Sequence, residues 1–135
     1  MSKGFGGKCC IVMEDDTTVI YEYAPYNLND SQYYNRDQIY DGIITICKSA
    51  LVEPEIHCKV KRMPSGRKKL IEKCVHVDVN FEMLLERDLI QIENSRFCWK
   101  IFNNKYGLIA LHLIGRIFDE YQTAGVLPKE ISLNY

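Results

Sequence analysis

Residues 104–125, NKYGLIALHLIGRIFDEYQTAG, constrain the fold more than any other stretch of the chain. Between Leu108 and Phe118 the only strongly polar side chains are His112 and Arg116. Leu108, Leu111, Ile114, Phe118 and Tyr121 recur at helical spacing, with Ile109, Leu113 and Ile117 as a second stripe beside them. Asn104 can cap the start, and Gly125 with Pro128 can stop the helix. A helix apolar on most of its circumference is buried, so the rest of the chain must pack around it. His112 is then expected to be buried and hydrogen-bonded, and Gly107 and Gly115 to allow close packing.

Strand signals supply the packing surface. Residues 8–13 and 17–24 read as a hairpin meeting at Asp15-Asp16, with Val19, Tyr21 and Tyr23 on one face and Ile20 and Glu22 on the other. Residues 25–34 are dense in turn formers and read as a loop. Asn35 opens NRDQ, the pattern of a capping box, and Ile39, Ile43, Ile46 and Ala50 follow at helical spacing. This predicts a helix over 36–51. The β-branched run Ile43-Ile44-Thr45-Ile46 makes a buried strand the alternative. A short helix is predicted over 80–87, a hairpin of 89–92 with 97–102 around Asn94-Ser95, and an edge strand over 130–135.

Residues 55–62 and 67–79 form a further predicted hairpin. Facing their apolar sets together puts Ile56 opposite Val75, Val60 opposite Ile71, and Pro64 opposite Arg67 over a two-residue Ser65-Gly66 loop. The outer face would then set His57 opposite Cys74 and Glu55 opposite His76, close enough for imidazole and thiolate to share a zinc ion. No CxxC pair or HExxH spacing supports that reading, so neither metal nor cofactor is expected.

The fold class is therefore α+β: a mostly antiparallel sheet built from hairpins, packed on a long buried C-terminal helix. A chain of 135 residues fits a single domain over 1–135. Its apolar runs are about half the length of a membrane span, and residues 1–8 lack the apolar core of a signal peptide. A cytoplasmic protein without membrane contact is expected. The six cysteines, mostly in apolar strand-like runs, then read as reduced and structural, with Cys9 and Cys10 on opposite strand faces.

Net charge is −1, which gives no global pull toward nucleic acid. Within it, residues 59–73 hold Lys59, Lys61, Arg62, Arg67, Lys68, Lys69 and Lys73 against Glu72 alone, a local +6 that leaves −7 elsewhere. This basic patch could hold phosphates, but it carries no aromatic residue to stack on bases. A DNA-reading helix over 80–87 is opposed by Glu82, Glu86 and the following Asp88.

Residues 21–40 contain six of the nine tyrosines, Tyr21, Tyr23, Tyr26, Tyr33, Tyr34 and Tyr40, interleaved with Asn and Asp. Tyrosine with Asn, Ser and Asp offers rigid contact area with adaptable hydrogen bonds, the composition of a recognition surface. Tyr26, Asn29, Asp30, Tyr33, Tyr34 and Asp37 are its candidate contact residues. The local charge is acidic, so the expected partner is a basic protein. There is no GxSxG, GxxxxGK[ST] or strand-to-helix GxGxxG, so no catalytic residues are assigned. The expected function is non-catalytic protein binding, of the inhibitor or immunity-protein kind, with a nucleic-acid-associated protein using residues 59–73 as the alternative.

Overall fold

Asp15 starts the sheet. The computed structural model describes residues 4–51, 53, 55–62, 64–75, 77–102 and 105–135, and the side chains of these except at 56–59, 61 and 69–75. The Asp15 carboxylate accepts the N–H groups of Thr17 and Thr18, each at 2.8 Å, and Asp15 N–H donates back to Thr18 O at 2.9 Å. Those two N–H groups hold its carboxyl below the ordinary aspartate value. The turn joins β1 (Phe5–Glu14) to β2 (Thr18–Asn27), the expected hairpin extended at both ends. Val12 is an extra residue in β1, bulging out between the pairs Ile11–Tyr21 and Met13–Ile20.

The predicted helix over 36–51 is instead β3 (Gly42–Cys47), followed by a single 3-10 turn at Lys48–Ala50. Its β-branched run decides the matter. Ile44 and Ile46 point into the core at 0% exposure, and Ile43 and Thr45 face the other way. β6 (Ile90–Glu93) pairs with β3 rather than with residues 97–102. β7 (Ile101–Phe102) pairs with β8 (Tyr106–Gly107) in a small separate ribbon. β9 (Glu130–Asn134) is the expected edge strand, beside β1. The main sheet is thus antiparallel throughout, in the order β6-β3-β2-β1-β9.

One face of this sheet is covered by α2 (Leu108–Ala124), the long buried helix that the apolar stripes demanded. Gly125 ends it in the left-handed conformation at φ 75°, donating to Tyr121 O at 2.8 Å. Gly107 occupies the cap position, and Asn104 lies outside the described residues. Gly107 abuts Cys98, while Gly115 faces open space and makes no close packing. Cys9, Val19, Tyr21, Tyr23, Ile131 and Leu133 from the sheet meet Ile109, Leu113, Ile114, Ile117 and Phe118 from α2. His112 is not buried as expected. It lies with Arg116 and Asp119 on the helix's outer side, its Nδ1 3.0 Å from the Tyr135 hydroxyl.

α1 (Phe81–Glu86) begins where predicted: Asn80 accepts the Met83 N–H at 3.1 Å, and Phe81 meets Phe118 edge-on at 5.1 Å. β4 (Glu55–Arg62) and β5 (Lys68–Val75) pair only with each other, as a two-stranded arm separate from the main sheet. Gln122 of α2 ties down the end of that arm. Its amide accepts Val77 N–H at 2.7 Å and donates to Val77 O at 2.9 Å, as a neighbouring strand would. Gln122→Leu keeps the side-chain size and leaves both Val77 groups unpaired. It is expected to cost about 2 kcal/mol in urea unfolding, and an unchanged midpoint would show that the tie carries no stability.

Burial also sets the response to alkali. Desolvation pushes the Cys9 thiol from an ordinary 9.0 up to about 12. It likewise raises the Tyr21 and Tyr23 hydroxyls well above the usual tyrosine value. The unfolded chain loses these protons first, so between pH 9 and 12 the folded state binds more protons and stability falls as pH rises. Chemical denaturation at stepped pH is expected to show this decline starting near pH 9. A flat profile to pH 11 would mean that these groups are not desolvated.

Candidate functional site: an acidic sheet face beside a tyrosine loop

The loop that follows β2 is ordered by its own short polar side chains. Asn27 Oδ1 accepts Asn29 N–H at 3.0 Å, and Asp30 Oδ1 accepts Gln32 N–H at 3.0 Å, capping a 3-10 turn at Ser31–Tyr33. Asn35, expected to cap a helix, does something else. It is 5% exposed at φ 50°. Its Nδ2 donates to Pro25 O at 2.9 Å and to Ile39 O at 3.3 Å, and its Oδ1 accepts Ile39 N–H at 2.8 Å. One buried side chain therefore pins both ends of the segment that carries the tyrosines.

The six tyrosines divide into two sets. Tyr21 and Tyr23 are core, at 0% exposure. Tyr21 donates to Pro128 O at 2.6 Å, and the Tyr23 hydroxyl accepts Ser95 N–H at 3.1 Å beside Cys98 Sγ at 3.6 Å. Tyr34 is exposed at 42%, and Tyr26, Tyr33 and Tyr40 are half-buried. Asn29, Asp30 and Asp37 are exposed. Leu28, which the sequence did not single out, and Ile39, expected on a buried helix stripe, add exposed apolar area to the same loop. Tyr26 donates to Asn134 Oδ1 of β9, joining the loop to the sheet edge. Burial raises the Tyr26 hydroxyl, and burial followed by Cys10, Glu130 and Glu22 pushes Tyr40 up to about 12. Between loop and sheet lies a cleft of about 330 Å³, where Lys8 and Arg36 sit among Tyr26, Tyr34 and Tyr40.

Strand order creates the second half of the site. On the sheet face away from α2, Cα pairing sets Glu93 beside Ile43, Ile43 beside Glu22, Glu22 beside Cys10, and Cys10 beside Glu130. Three carboxylates thus fall on one line across the whole sheet, on every second strand, with spacing of about 10 Å. Lys8 is the one basic residue that the pairing places on that face. Each glutamate is visible in a strand-like alternation in the sequence. Their alignment depends on which strands are neighbours, and that is set by long-range pairing.

The basic arm departs from its expected register. Glu55 pairs with Val75, Ile56 with Cys74, His57 with Lys73, Val60 with Leu70, and Arg62 with Lys68. This is one residue away from the pairing that would bring the apolar sets together. The connection is a five-residue loop with Gly66 at φ 86°, not a two-residue one. The longer turn, with Gly66 in the left-handed region, goes with this shifted register. His57 therefore does not face Cys74, Glu55 does not face His76, and His76 lies outside the described residues. Among the described residues no three His, Cys, Asp or Glu side chains converge to hold a metal. Arg62, Arg67 and Lys68 are exposed, and the side chains of Lys59, Lys61 and Lys69 lie outside those described. No described helix is long and apolar enough to cross a membrane. No protein-family model, curated protein or solved structure matches the chain.

Proposed function

We propose that the chain is a non-catalytic protein-binding module of the cytoplasm, whose acidic face covers a basic surface on a partner, as an inhibitor or immunity protein does. The observation that carries this reading is the row Glu93, Glu22 and Glu130 beside the loop bearing Tyr26, Asn29, Asp30, Tyr33, Tyr34 and Asp37. Tyrosines supply anchors of large area and low entropy cost, and the carboxylates steer a cationic partner. The first test is gentle affinity purification from the native host, followed by native mass spectrometry. A stoichiometric basic protein is expected. Glu22→Lys with Glu93→Lys should then weaken its binding at least about tenfold, chiefly through slower association at low salt. A partner whose affinity ignores both reversals would remove the acidic face from the interface.

The separate β4–β5 arm favours one second reading, nucleic-acid association. Its tip, residues 64–68, is exposed and stands apart from the main sheet. Salt titration of RNA and DNA binding decides between the two. Binding that falls with salt and is lost on joint Arg62, Arg67 and Lys68→Glu substitution would move the function to the arm.

A further inference from the structure

We propose that β9 is a self-association edge, through which two copies of the chain pair antiparallel and join their sheets. The argument starts from hydrogen-bond phase. Ile11 N–H donates to Lys129 O and Tyr135 N–H to Phe5 O, both across the β1–β9 pairing. The alternation of an antiparallel ladder then turns the backbone groups of Ile131 and Leu133 toward β1. Those of Glu130, Ser132 and Asn134 point away from the sheet, at an edge with no further strand among the described residues.

The sequence of this edge is self-complementary. Centring a two-fold axis on Ser132 places Ser132 opposite its own copy and Glu130 opposite Asn134 of the other copy. All three outward-facing residues then fall at hydrogen-bonded positions, so every outward N–H and C=O of the strand finds a partner. No like charges meet. Asn134 Oδ1 is already engaged by Tyr26, which leaves its Nδ2 to donate to the Glu130 carboxylate of the second copy. On the helix side, Ile131 lies opposite Leu133, which extends the apolar layer across the junction.

Glu130–Asn134 holds no Lys, no Pro and no bulge, and its one charge, Glu130, meets Asn134 in the paired copy. The opposite edge offers less. β6 is 4 residues long, and only Ile90 and Ile92 turn their backbone groups outward. The inference rests on strand pairing and charge, not on the partner-binding reading. If both hold, the paired sheets present two acidic rows related by the two-fold.

Sedimentation equilibrium of the full chain, from about 1 µM to about 1 mM, tests it. The expected result is a mass that rises to that of two chains. Ser132→Lys sets two lysines face to face at the axis and is expected to weaken association at least about 100-fold. Ser132 is exposed and its N–H is not used in the fold, so far-UV circular dichroism should stay unchanged. Mixing Ser132→Lys with Ser132→Glu chains should restore the dimer as a heterodimer, seen by native mass spectrometry. A monomer across the whole range, or a dimer that survives Ser132→Lys, overturns the proposal.

Discussion

Replacing Gly42 with alanine is expected to destabilise the fold by about 3 kcal/mol or more. A Cβ at this position would stand 2.2 Å from Tyr23 Cε1 and 2.3 Å from Cζ. The ring cannot easily give way. It is 0% exposed between sheet and helix, and its hydroxyl holds the buried Ser95 N–H. Moving it breaks that bond as well as the packing, so the cost of an unpaired buried donor adds to overpacking strain. The cause can be isolated with a double-mutant cycle. In a Tyr23→Leu background the clash has no ring to meet, and Gly42→Ala should cost at least about 1 kcal/mol less. An equal cost in both backgrounds would place the effect in strand propensity and dismiss the clash.

Gly42 also shows why β3 was hard to read. Gly42 lies inside the stretch read as a helix over 36–51, where a glycine only weakens a helix. In the structure it is the gap into which a tyrosine from the neighbouring strand fits. The spacing of Ile39, Ile43, Ile46 and Ala50 was coincidental, and the alternation of Ile44 and Ile46 was the true period. Both periods were present in the sequence, and only the location of the buried face separates them. By contrast α2, α1 and the β1–β2 hairpin were legible. Each is specified by local chemistry: a nearly continuous apolar surface, an Asn80 cap and an Asp15 turn.

The candidate site was legible only in part. The composition of residues 21–40 marked the loop, and the alternation of β2 separated Tyr21 and Tyr23 as core. The carboxylate row was not legible, because β6 and β9 lie far from β2 in sequence and reach it only through strand order. The expected pairing of His57 with Cys74 failed for a related reason. Its geometry depended on one register, and a slip of one residue exchanges every cross-strand neighbour. Hydrophobic facing is a sound guide to register where a core backs the strands. In the arm the register goes with a turn longer than the two-residue Ser65-Gly66 loop, one that holds Pro64 and the left-handed Gly66.

Asn35→Ala should have the largest effect on the loop and, through it, on partner binding. Asn35 makes three hydrogen bonds from one side chain, to Pro25 O, Ile39 O and Ile39 N–H. It also adopts φ 50°, a conformation that Asn tolerates better than alanine. Losing the bonds and adding the backbone strain should destabilise this segment by about 3 kcal/mol. Asn35 reaches the sheet at Pro25, near the end of β2, so the loss should appear mainly as local opening. Limited proteolysis within residues 28–39 is expected to accelerate about 100-fold while the core unfolding midpoint changes little. Asn35→Asp keeps the acceptor for Ile39 N–H and the backbone tolerance but turns a carboxylate oxygen toward Pro25 O and Ile39 O, and should open the loop at neutral pH as well. Because Tyr33, Tyr34 and Asp37 depend on the same anchor for their positions, Asn35→Ala should weaken partner binding more than Tyr34→Ala does. Unchanged proteolysis would show that the loop is held by its own turns and not by this residue. Accelerated proteolysis with undiminished partner binding would instead remove the loop from the interface and leave the carboxylate row to carry it alone.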